Sequence, residues 1–208
     1  MRGPVPPPRQ PRRRDDYAQQ TRDAVLEAAR ALFADRGFVA TTVGDIAASS
    51  RVSTGTVYQQ CGGKHGLLRT LLALWTNAPS LPRAADRVDA ARNVEEVFEI
   101  LGDAYLEVYR QFGDVIGLGV AVAPLDEESA RCLRAADATQ RAVHVRAARR
   151  LRALGALAQG ISDDDVADVA DFYFGGHGGI QFLTTRLGWA PERARTWLTT
   201  QFARSLEG

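Results

Sequence analysis

The sequence of 208 residues has little cysteine and no long apolar run. Its two cysteines, Cys61 and Cys132, are too few for a disulfide framework or a four-cysteine metal site, and they are typical of a reducing compartment. No apolar run reaches the roughly 18 residues of a membrane-spanning helix, and the first residues lack the apolar core of a secretory leader. We therefore expect a cytoplasmic protein without a membrane segment.

The charged residues are divided unevenly along the chain. Residues 1–76 hold 11 Lys/Arg and 6 Asp/Glu, whereas residues 77–208 hold 15 and 19. The overall net charge of +1 therefore conceals a basic N-terminal third. This asymmetry indicates a polyanionic partner for the first part of the chain only.

Five of the nine prolines lie within residues 4–11, interleaved with arginines. Such a segment has no apolar periodicity with which to build a core. We predict a flexible basic arm over residues 1–16. The arm either reaches a phosphate or the minor groove of DNA, or it is a solvated tail without a partner.

The remaining sequence shows helical periodicity and no strand alternation, which predicts an all-α fold. Thr42 and Ser53 are predicted to cap short helices, and Gly37 is predicted to end the first long helix in a left-handed conformation. Pro79 and Pro82 mark a domain boundary, which gives domains at 17–78 and 79–208. Helices are predicted over residues 17–36, 64–74, 126–158 and 163–187, and also after Asn93 and from Pro191.

Three motifs within residues 21–74 occur in a fixed order: AxxLFxxxGFxxTTVxDIA, VSxGTVY and GGKxxLL. This combination resembles the TetR family of bacterial transcription regulators. The resemblance implies an N-terminal three-helix DNA-binding domain with its helix-turn-helix motif at residues 42–61. It also implies a larger C-terminal helical domain for ligand binding and dimerisation, and double-stranded DNA as a partner.

A helix that enters the major groove, which is about 12 Å wide, needs short or polar side chains on its exposed face. Gly55 permits close approach of the backbone to DNA, and the amide of Gln59 suits adenine. By resemblance, Thr42, Tyr58 and Lys64 contact phosphates. Alternatively, Thr42 and Ser53 are only helix caps and Tyr58 is a core aromatic residue. The predicted DNA-binding residues are Thr42, Ser53, Thr54, Gly55, Thr56, Tyr58, Gln59 and Lys64.

The sequence departs from the family pattern at two positions. Arg51 stands where the family usually has glycine in the turn, so a left-handed conformation there costs about 1 kcal/mol unless the turn has another shape. Cys61 stands where the recognition helix usually ends in an aromatic residue. The thiol is either a small buried hydrophobe or a redox-sensitive group.

The helix predicted at 163–187 is apolar on more than one face, which indicates a homodimer. Four glycines surround His177 at its centre. They indicate either close crossing of a partner helix, a local break beside a ligand, or a loop between two shorter helices. The predicted dimer residues are Tyr173, Gly176, Gly179, Ile180, Trp197 and Phe202.

Aromatic residues and histidines of the second domain are candidates for a ligand pocket, although aromatic residues at helical spacing also form cores. The candidates are Trp75, Phe98, Tyr105, Tyr109, His144, Phe172 and His177. No motif for phosphate binding, nucleophilic catalysis or metal binding is present, so we predict no catalytic residue, metal or cofactor.

These patterns together predict a repressor that a small, largely apolar effector releases from a palindromic operator. One alternative is an all-α enzyme or small-molecule carrier in which the helix-turn-helix unit is only scaffold, which the departures at Arg51 and Cys61 would favour. Another is a protein-interaction adaptor that uses the glycine-rich face.

Overall fold

The structure is a computed structural model that describes residues 12–175 and 179–206, with side chains from Asp15 onward. The described residues form helices and contain no strand, which confirms the all-α class. They group into two compact units, residues 1–71 and 72–208. No helix in the described ranges is long and apolar enough to cross a membrane.

The first unit consists of a long first helix, a helix-turn-helix and the start of a fourth helix. Its helices are α1 (Arg12–Ala40), α2 (Val43–Ser50), α3 (Thr54–Cys61) and α4 (Gly63–Thr76), the last of which continues into the second unit. Helix α1 begins inside the segment predicted as an arm, and residues 1–11 of that segment lie outside the described residues.

Gly37 interrupts α1 with φ of 79° and ψ of 165°. This conformation is essentially restricted to glycine, because a Cβ atom would clash with the backbone. The positive φ agrees with the predicted helix end, but ψ differs from that of a left-handed cap. The interruption turns the chain so that Phe38 packs back against Phe33, with ring centroids 5.3 Å apart.

The second unit contains helices of 3 to 29 residues around one apolar core. They are α5 (Ser80–Ala90), α6 (Val94–Val122), α7 (Glu127–Ala153), α8 (Asp163–Phe174), α9 (Gly179–Gln181) and α10 (Pro191–Leu206). A 3₁₀ turn at Ala123–Leu125 precedes α7, and a π-helical turn at Phe182–Arg186 follows α9. Leu101, Leu151 and Phe202 are fully buried at the centre.

Two predicted helix starts in this unit are confirmed by their caps. The side chain of Asn93 accepts from the backbone N–H of Glu96, and Ser162 forms a reciprocal capping box with Asp165. Each cap satisfies an N–H group that has no partner inside the helix. The Ser162 hydroxyl holds the pKa of the Asp165 carboxyl below its ordinary value.

Two expectations for this unit are wrong. Helix α5 was not predicted, since Pro79 and Pro82 suggested a break; Pro82 lies in the first turn, where the missing N–H costs nothing. The single helix predicted at 163–187 is instead interrupted, because α8 ends at Phe174 and α9 begins at Gly179. Of the alternatives for the glycine run, two shorter helical segments match the described residues.

Candidate DNA-binding face and effector cavity

Helix α3 is held against the first unit by its inner face and its caps. Val57 is fully buried, as is Ile46 of α2. The Ser53 hydroxyl accepts from the N–H of Thr56 at 3.1 Å, and Gly62 ends the helix with a φ of 69°. Gln60 accepts from Arg22 of α1 at 3.1 Å. These contacts fix the rotation of α3 about its axis.

The opposite face of α3 presents small and polar groups to solvent. Ser53, Thr54, Gly55 and Gln59 are exposed, and Thr56 is half-buried. Tyr58 is 62% exposed, so it is not a core aromatic residue. Its ring lies over Gly63, where a Cβ atom would come within 2.8 Å of the tyrosine Cε1. The face therefore combines hydroxyls, one amide side chain and one supported phenol.

Gly55 differs from the glycines that the fold itself requires. Its φ is not positive, and a Cβ atom there would meet only the Ser53 Oγ, at an ordinary contact distance of 3.6 Å. Gly62 and Gly63, in contrast, both have positive φ. No contact among the described residues explains glycine at position 55, in the first turn of an exposed helix where alanine is intrinsically favoured.

Thr42 caps α2 through a capping box with Asp45. Its backbone N–H and its hydroxyl both donate to Asp45 Oδ2, at 2.9 and 2.6 Å, while the Asp45 N–H donates back to the hydroxyl. These hydrogen bonds lower the pKa of Asp45. The cap predicted from sequence is thus confirmed. The first-turn N–H groups of Val43 and Gly44 are the donors of α2 left for an anion.

Lys64 lies at the start of α4 and binds the end of α1. Its ammonium donates to the carbonyl oxygens of Phe38 and Thr41, at 2.8 and 2.9 Å. It also lies 4.4 Å from the centroid of the Phe38 ring, a cation–π distance. In this arrangement Lys64 is a structural tie between α1 and α4, a role that the sequence did not suggest.

The two departures from the family pattern have distinct outcomes. Arg51 ends α2 with φ of 57° and ψ of 39°, and it is the one non-glycine residue with positive φ among the described residues. The turn therefore keeps the left-handed shape and carries its conformational cost. Burial raises the pKa of the half-buried Cys61 thiol, so a smaller fraction of it is the reactive thiolate.

The second unit encloses a cavity of about 40 Å³ between α6, α7 and the α8–α9 interruption, which we call the α6–α7 cavity. Aromatic and aliphatic side chains form most of its wall, which also includes two glutamines and two threonines. The residues that carry this character are Trp75, Tyr105, Tyr109, Ile116, Gln140, Phe174, Ile180 and Gln181.

A buried hydrogen-bonded chain lies behind this wall. The Tyr105 hydroxyl is 2.6 Å from Nε2 of His144, and Nδ1 of His144 is 2.5 Å from Asp171. Burial raises the pKa of Tyr105 far above its ordinary value, so the phenol stays neutral. Burial also opposes ionisation of Asp171, but hydrogen bonds from His144 and Arg141 outweigh it and lower the pKa of that carboxyl.

Gln181 has one polar atom without a partner. Its Nε2 donates to the Gly113 carbonyl oxygen at 3.2 Å, whereas its Oε1 is buried with no hydrogen-bond donor among residues 12–175 and 179–206. The reverse orientation of the amide would place two oxygens together, so the hydrogen bond fixes the assignment. A buried acceptor of this kind costs about 1–3 kcal/mol.

With this geometry in place, comparison with known proteins identifies the family. Residues 25–71 match the family model described as bacterial regulatory proteins, tetR family. The match includes the capping box, the turn at Arg51 and all of α3. Residues 25–71 form a DNA-binding domain of the TetR family.

Similar proteins agree with this assignment. The chain is 37% identical over 79 residues to the HTH-type transcriptional regulator TtgR of Pseudomonas putida, a match that spans 38% of either protein. NalD of Pseudomonas aeruginosa, the secondary repressor of the MexAB-OprM efflux pump, has the same fold with a TM-score of 0.71 and 18% identity, covering 92% of this chain and 98% of NalD. SmeT in complex with triclosan gives a TM-score of 0.68 with 18% identity, covering 90% and 91%.

The ligand residues predicted from the sequence do not all lie together. Trp75, Tyr105 and Tyr109 line the α6–α7 cavity. His144 does not line it, because it is fully buried behind Tyr105. Phe98 packs on Phe202 in the core, and His177 lies outside the described residues.

Phe172 was expected in the pocket but is 76% exposed on the surface of the second unit. It borders an apolar groove of about 500 Å³ between α8, α9 and α10, the α8–α10 groove. The exposed rings of Phe182 and Trp197 also line this groove.

Three of the predicted dimer residues, Tyr173, Gly179 and Trp197, line the α8–α10 groove. Ile180 and Phe202 instead face the core, where they are 8% and 0% exposed. Gly176 lies outside the described residues. At Gly179 a Cβ atom would lie 1.7 Å from the Tyr173 carbonyl oxygen, so the fold of the chain itself requires this glycine.

Proposed function

We propose that this protein is a DNA-binding transcriptional regulator that represses from a palindromic operator and is released by a small molecule. The observation that supports this most directly is the exposed face of α3. Its groups are short or polar, its inner side is fixed by Val57, and the absence of a side chain at Gly55 has no internal explanation. A recognition helix in a major groove has these requirements.

In this proposal Gln59 reads a base edge, and Ser53, Thr54, Gly55 and Thr56 contact the groove at close range. Tyr58 donates its hydroxyl to a phosphate, which its exposure permits. Thr42 positions the α2 N-terminus, whose free N–H groups bind a second phosphate. Lys64 adds positive charge near the same backbone while its ammonium ties α1 to α4.

We also infer that the protein acts as a homodimer through the α8–α10 groove. Phe172, Phe182 and Trp197 place three large apolar side chains on one surface of the second unit, at 76%, 51% and 42% exposure. Exposed aromatic clusters of this size are typical of protein interfaces. A two-fold dimer presents two recognition helices about 34 Å apart, so its operator must be palindromic. Such a protein acts on DNA in the cytoplasm.

The α6–α7 cavity is the proposed effector site. Its wall is mostly apolar, and SmeT, which has the same fold, forms a complex with triclosan. Helix α4 contributes residues to both compact units, so the segment from Lys64 to Leu74 is the covalent route between effector and DNA. An effector that favours one state of the protein shifts DNA affinity by its differential affinity for the two states.

The test is a duplex-binding titration by fluorescence anisotropy, with the full chain and the DNA upstream of its own gene. We expect specific binding whose logarithm falls linearly with the logarithm of salt concentration. An effector found by thermal-shift screening should weaken DNA binding about 5- to 150-fold, and saturating DNA must weaken effector binding by the same factor. Absence of duplex binding at low salt would contradict the proposal, and equal effector affinity with and without DNA would remove the regulatory part.

A further inference from the structure

The side chains that line the α6–α7 cavity indicate the class of ligand that it can bind. Apart from its apolar wall, it includes Gln181, whose Oε1 is buried and has no donor within the part of the chain that the structure describes. A buried acceptor that has no partner within the protein is available to a donor group of a molecule that the site binds. The missing partner must be a donor, because an amide oxygen can only accept.

The position of Gln181 is built into the neighbouring helix. Gly113 and Gly117 of α6 leave space for the Gln181 amide. A Cβ atom added at Gly113 would lie 3.5 Å from Oε1, and one added at Gly117 would lie 3.2 Å from Nε2. The Gly113 carbonyl oxygen holds the amide nitrogen. The acceptor is therefore held in place by α6.

Two other polar side chains of the wall already have hydrogen-bond partners. The Gln140 amide donates to the Phe174 carbonyl oxygen at 2.9 Å, and the Tyr105 hydroxyl is paired with His144. Nδ1 of His144 is paired with Asp171, and Nε2 and the Tyr105 hydroxyl satisfy each other. Among the described side chains of the wall, Gln181 is the one with a fully buried polar atom that has no hydrogen-bond partner.

The cavity wall has no charged side chain among the described residues. A carboxylate would find no cation there, and an ammonium group would find no carboxylate in contact. Burying an unpaired charge is far more costly than burying a neutral polar group that is hydrogen-bonded. The wall therefore selects against both anions and cations.

From these observations we propose that the α6–α7 cavity binds an uncharged, mainly apolar molecule whose hydrogen-bond donor is accepted by Gln181 Oε1. This inference rests on the proposed effector site and specifies its ligand class. The enclosed volume of about 40 Å³ is smaller than an aromatic ring needs, so the wall must move on binding. That wall includes Gly175, which follows the end of α8, and Ile180 of α9.

Four probes of similar size test this by isothermal titration calorimetry with the full chain at pH 7 and without DNA. Phenol carries a neutral donor, anisole carries none, benzoate is an anion and protonated benzylamine is a cation. We expect phenol to bind about tenfold more tightly than anisole, which corresponds to one hydrogen bond to an otherwise unpaired acceptor. Benzoate and benzylammonium should bind at least about tenfold more weakly than phenol.

The Gln181→Met variant keeps the side-chain length and removes the acceptor. It should bind phenol and anisole equally, whereas the matched Gln159→Met variant, at an exposed glutamine, should keep the preference for phenol. A preference for phenol that persists in Gln181→Met overturns the proposal. So does wild-type binding of benzoate or benzylammonium as tight as that of phenol, or no binding of any probe at millimolar concentration.

The wild-type comparison of the four probes remains decisive if Gln181→Met does not fold. Repeating the phenol titration with the upstream duplex separates this inference from the proposed function. If phenol is preferred through Gln181 but leaves DNA affinity unchanged, the ligand class stands and the regulatory role of the cavity fails.

Discussion

Tyr105 and His144 form a buried hydrogen bond of 2.6 Å between α6 and α7. His144 is fully buried and is held from its other side by Asp171 of α8, so three helices of the second unit meet at one imidazole ring. Both ring nitrogens are satisfied in this arrangement. The ring links α6, α7 and α8 beside the cavity, but it is not part of the cavity wall.

Replacing Tyr105 with phenylalanine should therefore destabilise the protein. The change leaves Nε2 of a buried histidine without its hydrogen-bond partner, and we expect the free energy of unfolding to fall by about 1–3 kcal/mol. Urea denaturation followed by circular dichroism measures this. The control is Tyr109→Phe, four residues along the same helix at a half-buried tyrosine, for which we expect less than about 0.5 kcal/mol. Equal effects of the two variants would show that the hydrogen bond contributes little.

The Arg51→Gly variant should be more stable than the wild type. Arg51 has a φ of 57°, which glycine adopts without steric cost, so we expect a gain of about 1 kcal/mol in the free energy of unfolding. The Arg51→Ala variant removes the same charge but keeps the Cβ atom, and it should not give this gain. Stabilisation by alanine equal to that by glycine would assign the effect to charge.

The Lys64→Ala variant should have two separable effects. Loss of the contacts to Phe38 and Thr41 should lower the free energy of unfolding by about 1–3 kcal/mol. If Lys64 also neutralises one phosphate, the salt dependence of duplex binding should become shallower by about one unit, without a change in base preference. Chemical denaturation and salt titration of anisotropy measure the two. A destabilised variant with the wild-type salt slope would leave Lys64 only its structural role.

Association should depend on the aromatic residues of the α8–α10 groove. We expect Trp197→Ser or Phe172→Ser to shift the protein from dimer to monomer in sedimentation velocity, because each removes a large exposed apolar side chain from that surface. The matched control is Leu125→Ser, at a leucine that is 74% exposed outside the groove. Gly179→Leu is unsuitable, since added bulk would collide with the Tyr173 carbonyl oxygen of the same chain. Dimers that persist in both serine variants would place the interface elsewhere.

Local signals predicted the helix starts well. The caps at Thr42, Ser53, Asn93 and Ser162 were predicted because a cap depends on residues three positions apart in sequence. The exposed face of α3 followed from the same local periodicity. Helix α5 was missed because a proline in a first turn and a proline at a helix break look alike in sequence.

Tertiary neighbours decided the rest. Phe172 and Phe202 are both aromatic residues at helical spacing, yet the first is 76% exposed and the second fully buried. Only the packing of α8 and α10 against the other helices distinguishes them. His144 and Gln181 acquire their roles from residues 39 and 68 positions away, Tyr105 and Gly113, which no local pattern predicts. Lys64 likewise binds carbonyl oxygens at the end of α1.

The central claim is that α3 reads a DNA sequence through Gln59. The most direct measurement is the ratio of affinities for the upstream duplex and for a scrambled duplex of equal composition, at fixed salt. We expect a ratio of at least about 10³ for the wild type, and a fall of about tenfold or more for Gln59→Ala. The adjacent Gln60→Ala variant, which loses a contact to Arg22 within the protein, should keep the wild-type ratio. Equal affinity of the wild type for both duplexes would contradict the account, as would a ratio that Gln60→Ala lowers and Gln59→Ala leaves intact.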